Sequence, residues 1–326
     1  MHPVLVNIFG LSIAWYGVLI TIGVLVGAVL AQRLAARRGL NVDLLGDMIF
    51  WTVLWGVVGA RVFYILTSPD EFRGASFLQL INIRQGGISI HGGVVFGVLV
   101  ILYYQLRYRI NFYRYADTML YGLALGIIGG RIGNFFNGTD TMGRLTGWPI
   151  GYTWPNPGAP ILGIFKSPDN WTGFPGLCYN PPQDTKIEPA AFFCQGGQFL
   201  RGPVHLTQIY GVLIGVVLVV CTYYWLKSKR PGWAMWNFVL WYSVLRSVFE
   251  ETFRLNPLWW KVYLNEGPHA PGIGLFTATQ LFSVPIILVA AYMLWRIRNQ
   301  PVPADLPAPD PAPNLVPNAQ RGGRGR

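Results

Sequence analysis

The chain has 326 residues, of which 52% are hydrophobic, 15% aromatic and 12% charged. A soluble globular domain carries about 25% charged residues, so this composition excludes an ordinary soluble enzyme and indicates a polytopic membrane protein. The formal net charge of +11 fits basic loops beside anionic lipid headgroups and is no argument for nucleic acid as a partner.

Apolar runs of about 20 residues match roughly 30 Å of hydrocarbon. Seven occur, at 13–31, 48–67, 88–106, 117–136, 206–226, 233–253 and 272–295. They predict an all-α membrane protein with seven transmembrane helices in one bundle, over residues 1–298. The first run lacks a preceding basic segment and is followed by Arg33, Arg37 and Arg38, so it reads as a retained helix and not as a cleaved signal peptide. The loops at 32–47, 107–116 and 227–232, with the tail from 296, hold 14 Lys/Arg; the opposite loops hold 8 over far more sequence. Basic loops stay in the cytoplasm, which places the N-terminus outside and the C-terminus inside.

The longest segment between spans, 137–205, is then an external cap rich in Pro, Gly and Trp (Trp148, Trp154, Trp171), as suits the membrane interface. It holds Cys178 and Cys194, which on that side are either a disulfide or two free thiols. Cys221 falls in an apolar span. Residues 299–326 form a Pro/Ala-rich tail ending in Arg321, Arg324 and Arg326, too poor in apolar residues to fold.

Three arginines interrupt the apolar runs: Arg61, Arg131 and Arg246. An unpaired Arg at a bilayer centre costs about 2.5–3.5 kcal/mol on insertion scales, so an anionic partner is expected, and lipid phosphate is the most abundant. Each lies about 14 or 15 residues into a span running outward, roughly 20 Å from the cytoplasmic edge at the helical rise. Facing one another, they would form an anion site in the outer half of the bilayer. For each the plainer alternative is snorkelling to the interface or a structural ion pair.

Their neighbours carry more information. Arg131 opens Arg131-Ile132-Gly133-Asn134-Phe135-Phe136-Asn137-Gly138, with two amides where a lipid-facing helix would be apolar. Tyr242, Arg246 and Glu250 are spaced to share one helix face, and Glu250 is taken as the one carboxylate well inside a span. His91 begins the third span within Gly86-Gly87-Ile88-Ser89-Ile90-His91-Gly92-Gly93. There glycines permit close backbone approach or a broken helix, and a His is suited to proton transfer. The four histidines show no metal-ligand spacing, and no Gly-rich phosphate loop with a following Lys appears. No metal or cofactor is expected.

These motifs resemble those of prolipoprotein diacylglyceryl transferases. The resemblance rests on Trp15-Tyr16-Gly17, on His91-Gly92-Gly93, on Gly130 to Gly138 and on Tyr242 to Arg246 with Glu250 and Arg254. It departs at Thr139-Asp140-Thr141-Met142 before Gly143-Arg144, and at His205 to Gly211, where the family's Pro and Glu are absent. The resemblance implies transfer of a diacylglyceryl group from phosphatidylglycerol to the lipobox cysteine in the signal peptide of a preprolipoprotein. A thioether forms and glycerol phosphate is released, in the bacterial cytoplasmic membrane with the site toward the outer leaflet. The implied catalytic residues are His91, Arg131, Arg246, Tyr16 and Tyr242. The implied headgroup residues are Arg131, Asn134, Asn137, Gly143, Arg246, Glu250, Arg61 and Asp140. The departures leave a non-catalytic protein that binds or moves anionic lipid as the alternative. A solute transporter fits less well, because the polar cluster lies off the midplane and no internal repeat is seen.

Overall fold

A computed structural model of the chain describes residues 4–8, 11–81, 87, 89–137, 143–144, 146, 148–152, 160–161, 165–166, 194–195, 198–199, 204–254, 258–264 and 273–301. They are mostly helical. The helices are α1 (Trp15–Arg37), α2 (Val42–Thr67), α3 (Phe77–Ile81), α4 (Ile90–Tyr108), α5 (Phe112–Asn137), α6 (Thr207–Trp225), α7 (Trp233–Leu245) and α8 (Ala278–Arg298). Five of them, α1, α2, α5, α6 and α8, are long and apolar enough to cross a membrane. Of the other expected spans, α4 contributes a shorter apolar stretch, Gly92–Tyr108. The 13-residue α7 passes directly into a π-helical segment, Arg246–Glu251.

Four antiparallel two-stranded hairpins add to the helical framework: β1 (Val4–Ile8) with β2 (Leu11–Ala14), β3 (Pro160–Ile161) with β4 (Phe165–Lys166), β5 (Cys194–Gln195) with β6 (Gln198–Phe199), and β7 (Leu258–Leu264) with β8 (Ile273–Thr277). The last pair alters the sequence expectation, because the final apolar run begins as strand and turns helical only at Ala278. Thr277 forms a capping box there: its Oγ1 accepts from Gln280 N at 3.2 Å, and Gln280 Oε1 accepts from Thr277 N at 3.0 Å. These bonds satisfy backbone donors that a helix start leaves open. The possible Cys178–Cys194 disulfide, most of the 137–205 cap and the tail beyond 301 lie outside the described residues.

The described residues form two compact units. Met1–Leu30 with Met119–Val302 makes one, and Ala31–Thr118 lies in the other. In the first unit, α1 and α5 meet through glycines. A Cβ at Gly129 would stand 2.6 Å from Leu19 O, one at Gly23 would stand 3.1 Å from Leu125 O, and one at Gly133 would stand 2.7 Å from the Tyr16 ring. Small residues let backbones approach closely where lipid supplies no hydrophobic drive for association. Trp15 stacks on Phe136, with centroids 4.8 Å apart, at the same end. An apolar core follows from Leu120 and Ala124 of α5, Ile214 and Leu218 of α6, and Ala234 and Phe238 of α7. On α8 the buried positions are Ser283, Ala290 and Ile297, one every second turn, so most of that helix is left to face lipid.

In the second unit, α2 and α4 cross at Gly56, Gly59, Gly92 and Gly93; a Cβ at Gly93 would stand 3.3 Å from Gly56 O, and one at Gly59 would run into the Phe96 ring. Asn41 caps α2 by accepting from Leu44 N at 2.9 Å. Arg114 donates to Arg38 O at 3.3 Å. Burial lowers the Arg38 guanidinium from its ordinary pKa, with Asp117 acting in the opposite direction.

Gly129→Val tests the close approach of α1 and α5. Overpacking a tight contact costs about 1–3 kcal/mol, so the variant is expected to unfold at a lower temperature in detergent, read by circular dichroism, than one with Val at the uncrowded Gly126.

Candidate active site

The site is built from α5, the π-helical segment after α7, and the strands that follow it. Arg131, near the end of α5, forms an ion pair with Glu250. Glu250 Oε1 also lies 3.5 Å from Arg246 Nη1, which is 3.4 Å from the Tyr242 hydroxyl. Arg246 Nη2 reaches Glu251 Oε1 at 4.0 Å, and Arg254 Nη1 reaches the same oxygen at 3.2 Å. Glu250 and Glu251 are 1% and 0% exposed. Carboxylates so buried remain ionised only beside cations, and here three guanidiniums surround two carboxylates. Among these five residues the cations are in excess by one, and Arg246 keeps 20% of its side chain exposed. The arrangement therefore suits an added monoanion.

The sequence reading of Tyr242, Arg246 and Glu250 as one face agrees with this geometry. It overlooked Glu251, because in an α-helix adjacent residues point about 100° apart. The π turn bonds i to i+5 and holds more residues per turn, so Glu250 and Glu251 both reach Arg246. A pair of acidic residues in an apolar run, followed three positions later by Arg254, was the available signal.

Gly211 decides how Arg131 lies. A Cβ there would stand 2.7 Å from Arg131 Cγ, Cδ and Nε, so the side chain passes directly over the α6 backbone on its way to Glu250. Asn134 stands one turn beyond Arg131 and is partly buried. Tyr16 packs against Gly133. Asn137 ends α5; its side chain and all of Asp140 lie outside the described residues.

Gly143 and Arg144 join the site to α6. Gly143 pairs with Arg254 in an isolated bridge, Arg144 N donates to Phe253 O at 2.8 Å, and His205 N donates to Arg144 O at 2.9 Å. A Cβ at Gly143 would stand 2.8 Å from His205 Cβ, so glycine is required for this splice. The Arg144 side chain is fully buried against Gly274. His205 is fully buried among Trp148, Phe253 and Tyr210, with Nδ1 3.0 Å from the Tyr210 hydroxyl. Arg144, His205 and Arg254 are thus further polar members of this region. Reading the spans alone missed Arg144 and His205, because both fall in segments between spans.

Arg61 and His91 belong to the other unit. Arg61 donates Nε to Leu80 O at 2.6 Å, Nη1 to Gly87 O at 2.8 Å and Nη2 to Gln79 O at 2.9 Å, and it stacks over the Phe72 ring at 5.0 Å. Gly87 adopts φ 75°, and a Cβ there would stand 2.5 Å from Arg61 Nη1. All three guanidinium nitrogens thus bind backbone carbonyls, which gives Arg61 a structural task in holding the chain ahead of α4. His91 lies in the first turn of α4, a continuous helix starting at Ile90, and the neighbouring glycines serve close approach to α2. Among the described residues, no His, Cys, Asp and Glu cluster is arranged to hold a metal.

A family model for prolipoprotein diacylglyceryl transferase matches residues 3–296. The chain is 52% identical over 305 residues to a phosphatidylglycerol–prolipoprotein diacylglyceryl transferase of Deinococcus radiodurans, covering 92% of this chain and 86% of the relative. It is 46% identical over 296 residues to the protein of the same name in Thermus thermophilus, covering 90% and 97%. A third, from Thermoanaerobacter sp., is 30% identical over 302 residues, covering 92% and 96%.

Removing one partner of a buried ion pair costs about 3–5 kcal/mol because the other charge stays behind. Glu250→Ala is therefore expected to lower the thermal unfolding temperature in detergent far more than Asp70→Ala, whose pair with Arg73 is exposed.

Proposed function

The chain belongs to the prolipoprotein diacylglyceryl transferase family, and on that premise we propose that it transfers the diacylglyceryl group of phosphatidylglycerol to the lipobox cysteine thiol of preprolipoproteins. The observation that carries this reading is the buried network of Arg131, Glu250, Arg246, Glu251 and Arg254, with its cationic excess.

In the reaction the thiolate sulfur attacks the glyceryl carbon that bears the phosphate. A C–S bond forms, the C–O bond to phosphate breaks, and the oxygen leaves with the electron pair on glycerol phosphate. The thiol proton passes to a base. Negative charge grows on the departing phosphate, and guanidiniums held in place in a water-poor site stabilise it without reorganising. Arg131 and Arg246 take that role, since the guanidinium fork matches phosphate oxygens. Glu250 and Glu251 hold the guanidiniums in position, and Tyr242 orients Arg246. Tyr16, Asn134, Asn137, Gly143 and Asp140 are assigned to headgroup contact. His91 is assigned as the base that gives the reactive thiolate.

The proposed setting is the bacterial cytoplasmic membrane, crossed seven times with the N-terminus outside. The basic loops support this orientation, which directs the arginine network to the outer leaflet. Arg61 is left to structure, as its carbonyl bonds suggest.

Transfer can be measured as thioether-linked lipid on a lipobox peptide supplied with phosphatidylglycerol. Loss of one preorganised donor costs about 10²–10³ in kcat, so Arg131→Ala and Arg246→Ala should each fall by that much; near-parental transfer in both would sink the phosphate assignment. His91→Gln should lose transfer with a peptide thiol at neutral pH and recover part of it as pH rises toward the thiol pKa. A flat deficit across pH would place the base elsewhere.

Gly211→Ala tests the path of Arg131. Displacing its guanidinium by about 1 Å can cost up to about 10²-fold, and kcat/KM for phosphatidylglycerol is expected to fall steeply. Gly126→Ala in α5, with open space around its Cβ, should stay close to the parent.

A further inference from the structure

The π-helical segment Arg246–Glu251 carries both Arg246 and the two buried carboxylates. Such segments are rare, so contacts must hold this register against relaxation to an ordinary α-helix. The Ser247 carbonyl shows which contacts these are. It lies inside the segment and receives two side-chain donors: Thr252 Oγ1 donates to Ser247 O at 3.0 Å, and Gln280 Nε2 donates to the same oxygen at 3.0 Å. Gln280 Nε2 also lies 3.2 Å from Thr252 Oγ1, which accepts from it.

The other end of the same amide is engaged as well, since Gln280 Oε1 accepts from Thr277 N at 3.0 Å in the capping box of α8. The amide orientation follows from chemistry: an N–H faces its oxygen and a carbonyl faces its nitrogen. Gln280 thus joins the first turn of α8 to the segment that presents the arginine network. We propose that Gln280 is a positioning residue for the reaction, fixing the π register that lets Glu250 and Glu251 grip Arg131, Arg246 and Arg254. It acts through Ser247 and Thr252 and touches no reacting atom. The proposal rests on the phosphate-binding role given above to Arg131 and Arg246.

Gln280→Glu separates the two tasks of the amide. A glutamate at the third helical position still accepts from the cap N–H, as capping boxes commonly use it, but it cannot donate to Ser247 O. The full chain in phosphatidylglycerol-containing nanodiscs, assayed with a lipobox peptide, is expected to keep its unfolding temperature while kcat falls about 10²-fold with a smaller change in KM. Thr277→Ala, which removes the cap oxygen and leaves the Gln280–Ser247 bond, is expected to do the reverse: a lower unfolding temperature and near-parental kcat for the folded enzyme. Should Gln280→Glu not accumulate as folded protein, Thr252→Val makes the same test, removing the bridging hydroxyl at similar volume; loss of kcat supports the proposal. Parental kcat in Gln280→Glu or, failing that, in Thr252→Val overturns it. Arg246→Ala is run in parallel: if it loses transfer while the clasp variants do not, only the role of Gln280 fails, and if it retains transfer, the phosphate reading itself fails.

Discussion

The ion pair between Arg131 and Glu250 joins two parts of the chain that are 119 positions apart, the end of α5 and the π-helical segment. Neither charge would be tolerated alone in an apolar bundle, where the penalty for removing an ion from water is several kcal/mol. Each therefore constrains the position of the other. Once Glu250 is committed to Arg131, Arg246 shares it and is completed by Glu251, which in turn holds Arg254. The network is a chain of obligations, each cation needing a carboxylate and each carboxylate needing more than one cation. Among these five residues the positive charges exceed the negative by one.

The glycines that frame this network serve geometry more than flexibility. Gly211 leaves room for Arg131 to cross α6, Gly133 receives Tyr16, and Gly143 admits the backbone splice to His205. Each position is one where a methyl group would meet an atom already held by another interaction. The same logic operates in the other unit, where Gly87 makes room for the Arg61 guanidinium. Intramembrane arginines thus reach two different ends. Arg61 donates to three main-chain carbonyls of its own unit, whereas Arg131 and Arg246 stand beside carboxylates.

Much of this was legible in the chain itself. Each apolar run falls on a helix, because hydrocarbon thickness imposes a length that composition displays, but the end of α1 and the starts of α2 and α8 lie about six residues from the run ends. Arg131, Arg246, Tyr242 and Glu250 stood out as polar residues in apolar surroundings, and helical spacing grouped three of them correctly. Arg61 stood out equally, yet its partners are main-chain carbonyls, which carry no side-chain signature. Glu251 and the start of α8 were hidden for related reasons. A π turn and a β-strand running into a capped helix are set by tertiary contacts, and neither alters the apolar character that was being read.

The π segment explains why these omissions belong together. An α-helix continued through Arg246–Glu251 would present Arg246 and Glu250 on one face and turn Glu251 away from Arg246. Widening the turn gathers both carboxylates under the arginines, and the Ser247 carbonyl within it takes two side-chain donors. Thr252 and Gln280 both donate to that carbonyl, and Gln280 stands in the first turn of α8, which begins where β8 ends at Thr277. The late onset of the last helix is thus coupled to the geometry of the charged network. A polar side chain at the first turn of an apolar helix is the link by which one end of α8 governs where the guanidiniums stand.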